Sequence, residues 1–84
     1  MNPVIIPGED TISYREFSDG KPVQVRISVP DLQAKGFGKG KPVNVIHEGH
    51  ELRGRIVSDP LQIDSDKETH LTTLALVIEK SDAF

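Results

Sequence analysis

Six basic side chains have the types and spacing that best fit a binding chemistry in this sequence. Arg53 and Arg55 are two residues apart, so they share one face if this segment is a strand. Guanidinium groups match phosphate oxygens and the acceptor edge of guanine. If the strand that carries Arg26 is a neighbour, three guanidinium groups line one surface; the alternative is that they only keep an exposed sheet face soluble. The predicted DNA-contacting residues are Arg26, Lys35, Lys39, Lys41, Arg53 and Arg55.

The charge is unevenly distributed along the chain. The net charge is −3, but residues 15–55 carry eight basic side chains against five acidic ones. Residues 56–84 carry two basic side chains against six acidic ones. A basic middle between acidic ends predicts a surface for an anion such as nucleic acid, and a mixed solvated surface is the alternative.

Other chemistries find little support. His47 and His50 flank Glu48–Gly49, and at a hairpin tip the two rings need not converge, so we expect an exposed polar turn and no metal site. The glycine-rich run 36–41 lacks the spacing of a phosphate-binding loop. No serine sits in a nucleophile elbow, and there is no cysteine. We therefore expect a non-enzymatic protein without a cofactor.

The elements that would position the basic residues are mostly strands. Apolar and polar residues alternate strictly over 23–29, which predicts a strand with Arg26 on its outer face. Residues 11–17 are interpreted as the preceding strand, with Ile12 and Tyr14 on one face. Asp19–Gly20 would form the hairpin turn between these two strands.

The rest of the chain continues this pattern. After Pro30, Asp31 can cap a short helical turn over residues 32–35. Gly54 falls between the inward-facing Leu52 and Ile56 on the same strand face, at a bulge or a close packing contact. Both faces of the last strand are apolar, so it is either central or lies at a subunit interface. The further predicted segments are strands 42–47 and 51–57 joined at Glu48–Gly49, an edge strand 61–63, a polar loop 64–68 and a last strand 70–80.

These elements predict an all-β protein: a five- to six-stranded barrel or swapped-hairpin roll with one short helical turn. The 84 residues form one domain, with 1–10 as an N-terminal arm and 81–84 as a loose tail. No apolar run is long enough to span a membrane, and the N-terminus lacks the features of a signal peptide. We expect a cytoplasmic protein without membrane contact.

Residues 25–45 and 47–52 resemble the core of the AbrB/MazE/SymE-type swapped-hairpin domains. The shared features are a strand ending at Pro30, a short helical turn, glycines, and a Gly-x-x-Val-x-Val run that ends at Val45. The resemblance implies an intertwined homodimer that binds DNA and regulates transcription, with Arg26 and the lysines of the following turn as contacts. The sequence departs from the family in having an apolar strand at 70–80, where the antitoxins have a disordered toxin-binding tail.

A second resemblance is to PilZ-type barrels. It is carried by residues 31–36, 40–45 and 52–57, where the first segment follows the D-x-S-x-x-G motif except for Gln33 in place of serine. No R-x-x-x-R arm precedes it, so cyclic dinucleotide binding in the family's usual way is not expected. This resemblance implies a degenerate barrel that acts as a protein-interaction or nucleotide-binding module.

The sequence thus predicts a non-enzymatic binding module, first a DNA-binding regulator of the AbrB or antitoxin type. The alternative is the degenerate PilZ-like barrel. The expected partners are a second copy of the chain, duplex DNA, and a protein that docks through the C-terminal strand. Neither a DNA sequence nor a ligand follows from these residues.

Overall fold

A computed structural model describes residues 2–81 and shows an all-β fold with six strands. One α-helix, α1 (Thr11–Ser18), lies between the first two strands, and a 3-10 helix (Asp31–Phe37) follows the second. The strands are β1 (Asn2–Ile5), β2 (Val23–Pro30), β3 (Pro42–His47), β4 (His50–Ile56), β5 (Leu61–Asp66) and β6 (Leu71–Lys80).

The strands form a nearly closed, barrel-like sheet in the order β1-β3-β4-β6-β2. β1 runs parallel to β3, and every other pair is antiparallel. β5 pairs with the first half of β6, while β4 pairs with its last three residues. The sheet therefore curls around one apolar core, in which side chains from β1, β2, β3, β4 and β6 meet.

The last strand is central, which is one of the two arrangements that its apolar faces predicted. All eight residues of β2 pair with one edge of β6, and β4 and β5 share the other edge of β6. Leu74, Leu76 and Ile78 are buried on the inner face. On the outer face Ala75 is also buried and Val77 is half-buried, because strands lie on both sides of them.

The strand prediction for residues 11–17 is wrong, because this segment forms α1. The Asp10 carboxylate accepts a hydrogen bond from the Ser13 backbone N–H at 3.2 Å and so caps the helix N-terminus. Phe17 and Tyr14, three residues apart, face the barrel, and Phe17 is fully buried. Ile12, expected to face the core with Tyr14, is 74% exposed.

Asp19–Gly20 accordingly ends a helix and does not connect two strands of a hairpin. The Asp19 N–H bonds to the Arg15 carbonyl at 2.9 Å, and Gly20 takes a φ of +92°, which glycine adopts readily. The polar loop predicted for 64–68 is also partly wrong, since β5 continues to Asp66.

The N-terminal segment is part of the barrel where an arm was expected. β1 pairs with β3 over four residues, and Val4 and Ile6 are buried in the core. The other proposed terminal feature, a tail at 81–84, lies outside the described residues except for Ser81.

The β3–β4 hairpin and the close packing at Gly54 confirm two predictions. Glu48 and Gly49 both have positive φ, 47° and 82°, as a two-residue hairpin turn requires. A Cβ at Gly54 would lie 2.8 Å from both the Glu79 carbonyl oxygen and Phe17 Cζ. Glycine is therefore needed there because α1 packs directly on β4.

Candidate nucleic-acid interface

The turn before β3 is fastened to the end of β4. The Gly40 N–H donates to the Ile56 carbonyl at 2.7 Å, and the Ile56 N–H donates to the Lys41 carbonyl at 3.0 Å. Gly40 has a φ of +88°, so glycine suits this tight turn. Lys39 and Lys41 are exposed on either side of it. The two lysines are thereby held next to the strand that carries the two arginines.

Arg53 and Arg55 lie on the outer face of β4, as predicted, and both are exposed. Pro42 is the cross-strand neighbour of Arg55 on β3, which places Lys41 one residue from that pair. Asn44 is the neighbour of Arg53. We call Lys39, Lys41, Arg53 and Arg55 the basic patch.

The patch is not uniformly positive. Glu79 on β6 is the cross-strand neighbour of Arg55, and Glu51 precedes Arg53 by two residues on the same face of β4. Opposite charges at neighbouring positions attract and lower the local positive potential. The side of the patch that faces the glycine turn, with Lys39 and Lys41, is therefore more positive than the side that faces β6.

Lys35 lies in the last turn of the 3-10 helix and is exposed. The following residue, Gly36, accepts a 2.6 Å hydrogen bond from the Asn2 side-chain amide, and Phe37 is buried in the core. Asp31 begins this helix, but its carboxylate accepts from the Thr72 hydroxyl and makes no cap hydrogen bond. The helix that carries Lys35 is thus fixed to β1, to β6 and to the core.

Arg26 does not join the basic patch, because β6 separates β2 from β4. Arg26 is the cross-strand neighbour of Ala75, whereas Arg55 is the neighbour of Glu79. Four residues along β6 and two strand spacings across the sheet give a Cα separation of roughly 16 Å. Three guanidinium groups were expected on one surface only if the two strands were neighbours, and this condition is not met.

Arg26 instead borders a groove between β1 and β2. One cavity of about 320 Å³ is lined by the ends of these strands and the segment before α1, including Ile5, Asp10, Gln24 and Arg26. A second cavity of about 230 Å³ continues along β2 and shares Ile5 and Arg26. The sequence did not reveal this groove, because residues 1–10 were expected to form an arm. The apolar run Val4–Ile6 was a signal for a strand, but the two prolines that flank it obscured this signal.

The two histidines of the β3–β4 hairpin are cross-strand neighbours, but their side chains lie in different surroundings. His47 is buried, its Nδ1 donates to the Ile6 carbonyl at 3.1 Å, and its ring stacks on Tyr14 with 4.3 Å between centroids. His50 is exposed on the other side of the turn. The exposed polar turn expected here is therefore half wrong, because His47 holds β1 and α1 together. Within residues 2–81 no group of three or more possible metal ligands occurs.

Comparisons with models of known protein families, with curated proteins and with solved structures give no match to this chain. Neither of the two resemblances is therefore supported by a relative. Neither described helix has the length and apolar character that would let it cross a membrane.

Proposed function

We propose that this protein is a non-enzymatic module that binds duplex DNA through the basic patch, with Lys35 as a flanking contact. The observation that supports it is the pair of backbone hydrogen bonds between Gly40, Lys41 and Ile56, which joins the lysine turn to the arginine strand. Phosphate positioning by lysine and arginine side chains needs such a fixed frame, since the contacts set the register of the protein on the duplex.

The contacts are expected to be mainly with phosphates. A two-stranded ribbon can enter the major groove when its edges are free. Here β3 is flanked by β1, and the end of β4 is flanked by β6, so the surface is wider than a ribbon. The side chains of Arg53 and Asn44 are suited to contacts with base edges. However, the flanking strands keep most of this β3–β4 face against the DNA phosphates and outside the groove. Binding is therefore expected to depend weakly on DNA sequence.

Salt dependence of binding to a fluorescein-labelled 20-base-pair duplex tests this proposal. With four phosphate contacts, the logarithm of the association constant should fall with the logarithm of the salt concentration with a slope of about −3.6. Affinity would then drop about 150-fold between 50 and 200 mM salt. Absence of salt-dependent binding at micromolar protein would refute the proposal.

A matched pair of double variants locates the site. Lys41→Ala with Arg55→Ala should reduce the slope by about 1.8, because two phosphate contacts are removed. Lys21→Ala with Lys67→Ala changes the net charge equally, and both of these residues are exposed outside the patch. Equal losses in the two double variants would show that only the overall charge matters.

The second candidate function is a protein-interaction module, which corresponds to the degenerate barrel of the alternative prediction. Exposed apolar side chains on β5 favour it, with Leu61 67% and Ile63 45% exposed. β6 itself has partners on both edges, so a protein expected at the C-terminal strand would meet β5 first. Replacing Arg53 and Arg55 together should weaken DNA binding strongly and leave docking at β5 unchanged.

The homodimer and the regulatory role are part of the same proposal. An intertwined dimer would have a solution mass of about 19 kDa, twice the 9.3 kDa of the chain. Size-exclusion chromatography with light scattering at low micromolar concentration measures it. A monomer at that concentration would contradict the AbrB-like interpretation and favour a self-contained barrel.

A further inference from the structure

Among residues 2–81, β2 pairs with a strand on one edge only, and the hydrogen bonds around β6 show which residues face its other edge. The Val77 N–H donates to Ser58 Oγ, and the Val77 carbonyl accepts from the Val57 N–H, both at 2.9 Å. The main chain of Val77 therefore points away from β2. Because Gln24 lies opposite Val77, these two residues form a pair without mutual hydrogen bonds.

The other end of β2 gives the same result. The Asp31 N–H donates to the His70 carbonyl at 2.9 Å. In an antiparallel sheet such a bond lies next to a residue pair without mutual hydrogen bonds, which here is Pro30 and Leu71. The register between these two ends is uninterrupted. The N–H and C=O groups of Gln24, Arg26 and Ser28 therefore point away from β6.

β1 presents a second free edge to the same gap. The Ile6 N–H bonds to the Ile46 carbonyl at 2.9 Å, so the main chain of Ile6 faces β3. Residues alternate along a strand, and the N–H and C=O of Ile5 consequently face away from β3. Within residues 2–81 the sheet has no pairing between β1 and β2, although the two strands run antiparallel and line the same two cavities.

The gap between the two edges is the groove described above. Its two cavities, of about 320 and 230 Å³, follow β2 from Gln24 to Val29. Arg26 and Ile5 line both, one from each edge strand. Among the described residues, the groove combines backbone groups without a strand partner, the apolar side chain of Ile5 and the Arg26 cation at its middle. The Asp10 carboxylate lies at one end of the groove, where it accepts from the Ser13 N–H.

We propose that this groove binds an extended peptide, which adds as a strand antiparallel to β2 and carries a carboxylate side chain opposite Arg26. Main-chain hydrogen bonds to Gln24, Arg26 and Ser28 would supply affinity, as in other strand-addition complexes. The guanidinium group would supply specificity through a charge-assisted hydrogen bond. The peptide would occupy the position in which β1 and β2 fail to close the barrel.

The edge of β5 is a weaker site for strand addition. Ile63 is an extra residue at a register shift between Gln62 and Asp64, which distorts the edge. Asp64 and Asp66 also place negative charge along it. Bulges and charges of this kind are the features that protect sheet edges from pairing, and β2 has no such bulge.

Amide hydrogen exchange of the free protein, measured by NMR, tests the open edge directly. The amides of Gln24, Arg26 and Ser28 should exchange at least about tenfold faster than those of Val25 and Ile27, which bond to β6. Equal protection of both sets would show that β1 closes onto β2, and it would overturn the proposal.

Selection from a phage-displayed library of random eight-residue peptides tests the occupant. Enriched peptides should alternate β-branched with polar residues and carry Asp or Glu at one fixed position. Their synthetic versions should protect the three free amides, and Arg26→Glu should weaken binding about tenfold or more. No enrichment, or binding that Arg26→Glu leaves unchanged, would refute the proposal.

Two variants of Ser28 separate backbone pairing from side-chain effects. Ser28→Pro removes an N–H that β6 does not use, so the fold should persist while peptide binding is lost. Ser28→Ala keeps the N–H and loses only the 3.0 Å hydroxyl contact with Thr73, so binding should remain. Retained binding in folded Ser28→Pro would contradict strand addition.

A dimer that forms with rising concentration and disappears in Ser28→Pro would show that a second copy, and not a peptide, occupies the groove.

Discussion

Replacing Gly54 by alanine is the sharpest test of how α1 packs on the barrel. The added Cβ would lie 2.8 Å from the Glu79 carbonyl oxygen and 2.8 and 3.0 Å from Phe17 Cζ and Cε1. The carbonyl belongs to the backbone of the neighbouring strand, and the Phe17 ring is fully buried. Neither group can move away without disturbing the core, so we expect the substitution to destabilise the protein.

The size of the effect follows from two opposing contributions. Overpacking a core by one methyl group costs about 1–3 kcal/mol. Alanine also restricts the unfolded chain, which returns about 0.4–1 kcal/mol because Gly54 has no positive φ. A net loss of about 1.5 kcal/mol lowers Tm by roughly 6–12 °C in a domain of this size.

Urea and thermal unfolding followed by circular dichroism measure this loss. Gly38→Ala is the matched control: no atom lies within 4 Å of its added Cβ, and its φ of −75° suits alanine. That variant should be as stable as the wild type or slightly more stable. In a double-mutant cycle, the combined Gly54→Ala and Phe17→Leu variant should lose at least about 0.5 kcal/mol less stability than the sum of the two single losses.

A Gly54→Ala protein as stable as the wild type would refute this packing. The Phe17 ring would then lie elsewhere, and residues 11–18 would not form a helix that covers β4. Destabilisation without coupling to Phe17 would leave the Glu79 carbonyl as the only cause of the clash.

Three further substitutions test contacts at the two ends of the barrel and at its hairpin, each by urea unfolding. Asp10→Ala removes the side-chain cap on Ser13 and should cost about 1 kcal/mol, whereas Asp10→Asn should be nearly neutral; equal losses would place the cap elsewhere. Thr72→Val removes the hydroxyl that donates to Asp31 and should cost about 1 kcal/mol, while Thr72→Ser should retain most of the stability. Gly49→Ala should cost about 1 kcal/mol, because its φ of +82° is strained for alanine, and an unchanged midpoint would argue against this turn.

Local sequence patterns predicted most of the strands correctly. The alternation over Val23–Val29 and the Glu48–Gly49 turn both depend on interactions between residues close in sequence, and both are confirmed. The inward position of Gly54 was also predicted from its place between Leu52 and Ile56, although its partner, Phe17, was not. A strand's inner and outer faces follow from its period of two, but the identity of what covers the inner face does not.

The segment 11–17 shows why the helix was missed. Ile12 and Tyr14 fit one face of a short strand, whereas Tyr14 and Phe17 fit one face of a helix, and eight residues are too few for periodicity to decide. The choice is made by tertiary contacts, namely the burial of Phe17 against β4 and the stacking of Tyr14 on His47. Such contacts override weak local preference.

The candidate site likewise has features that follow from the sequence and features that depend on the tertiary structure. Arg53 and Arg55 share a face because of their spacing, and Lys39 and Lys41 flank a glycine turn; the sequence alone determined both facts. Only the tertiary structure decided that β6 separates Arg26 from this patch and that β1 and β2 leave a groove lined by Arg26. The physical reason is that strand order depends on how the whole apolar core is covered, which involves residues far apart in the chain.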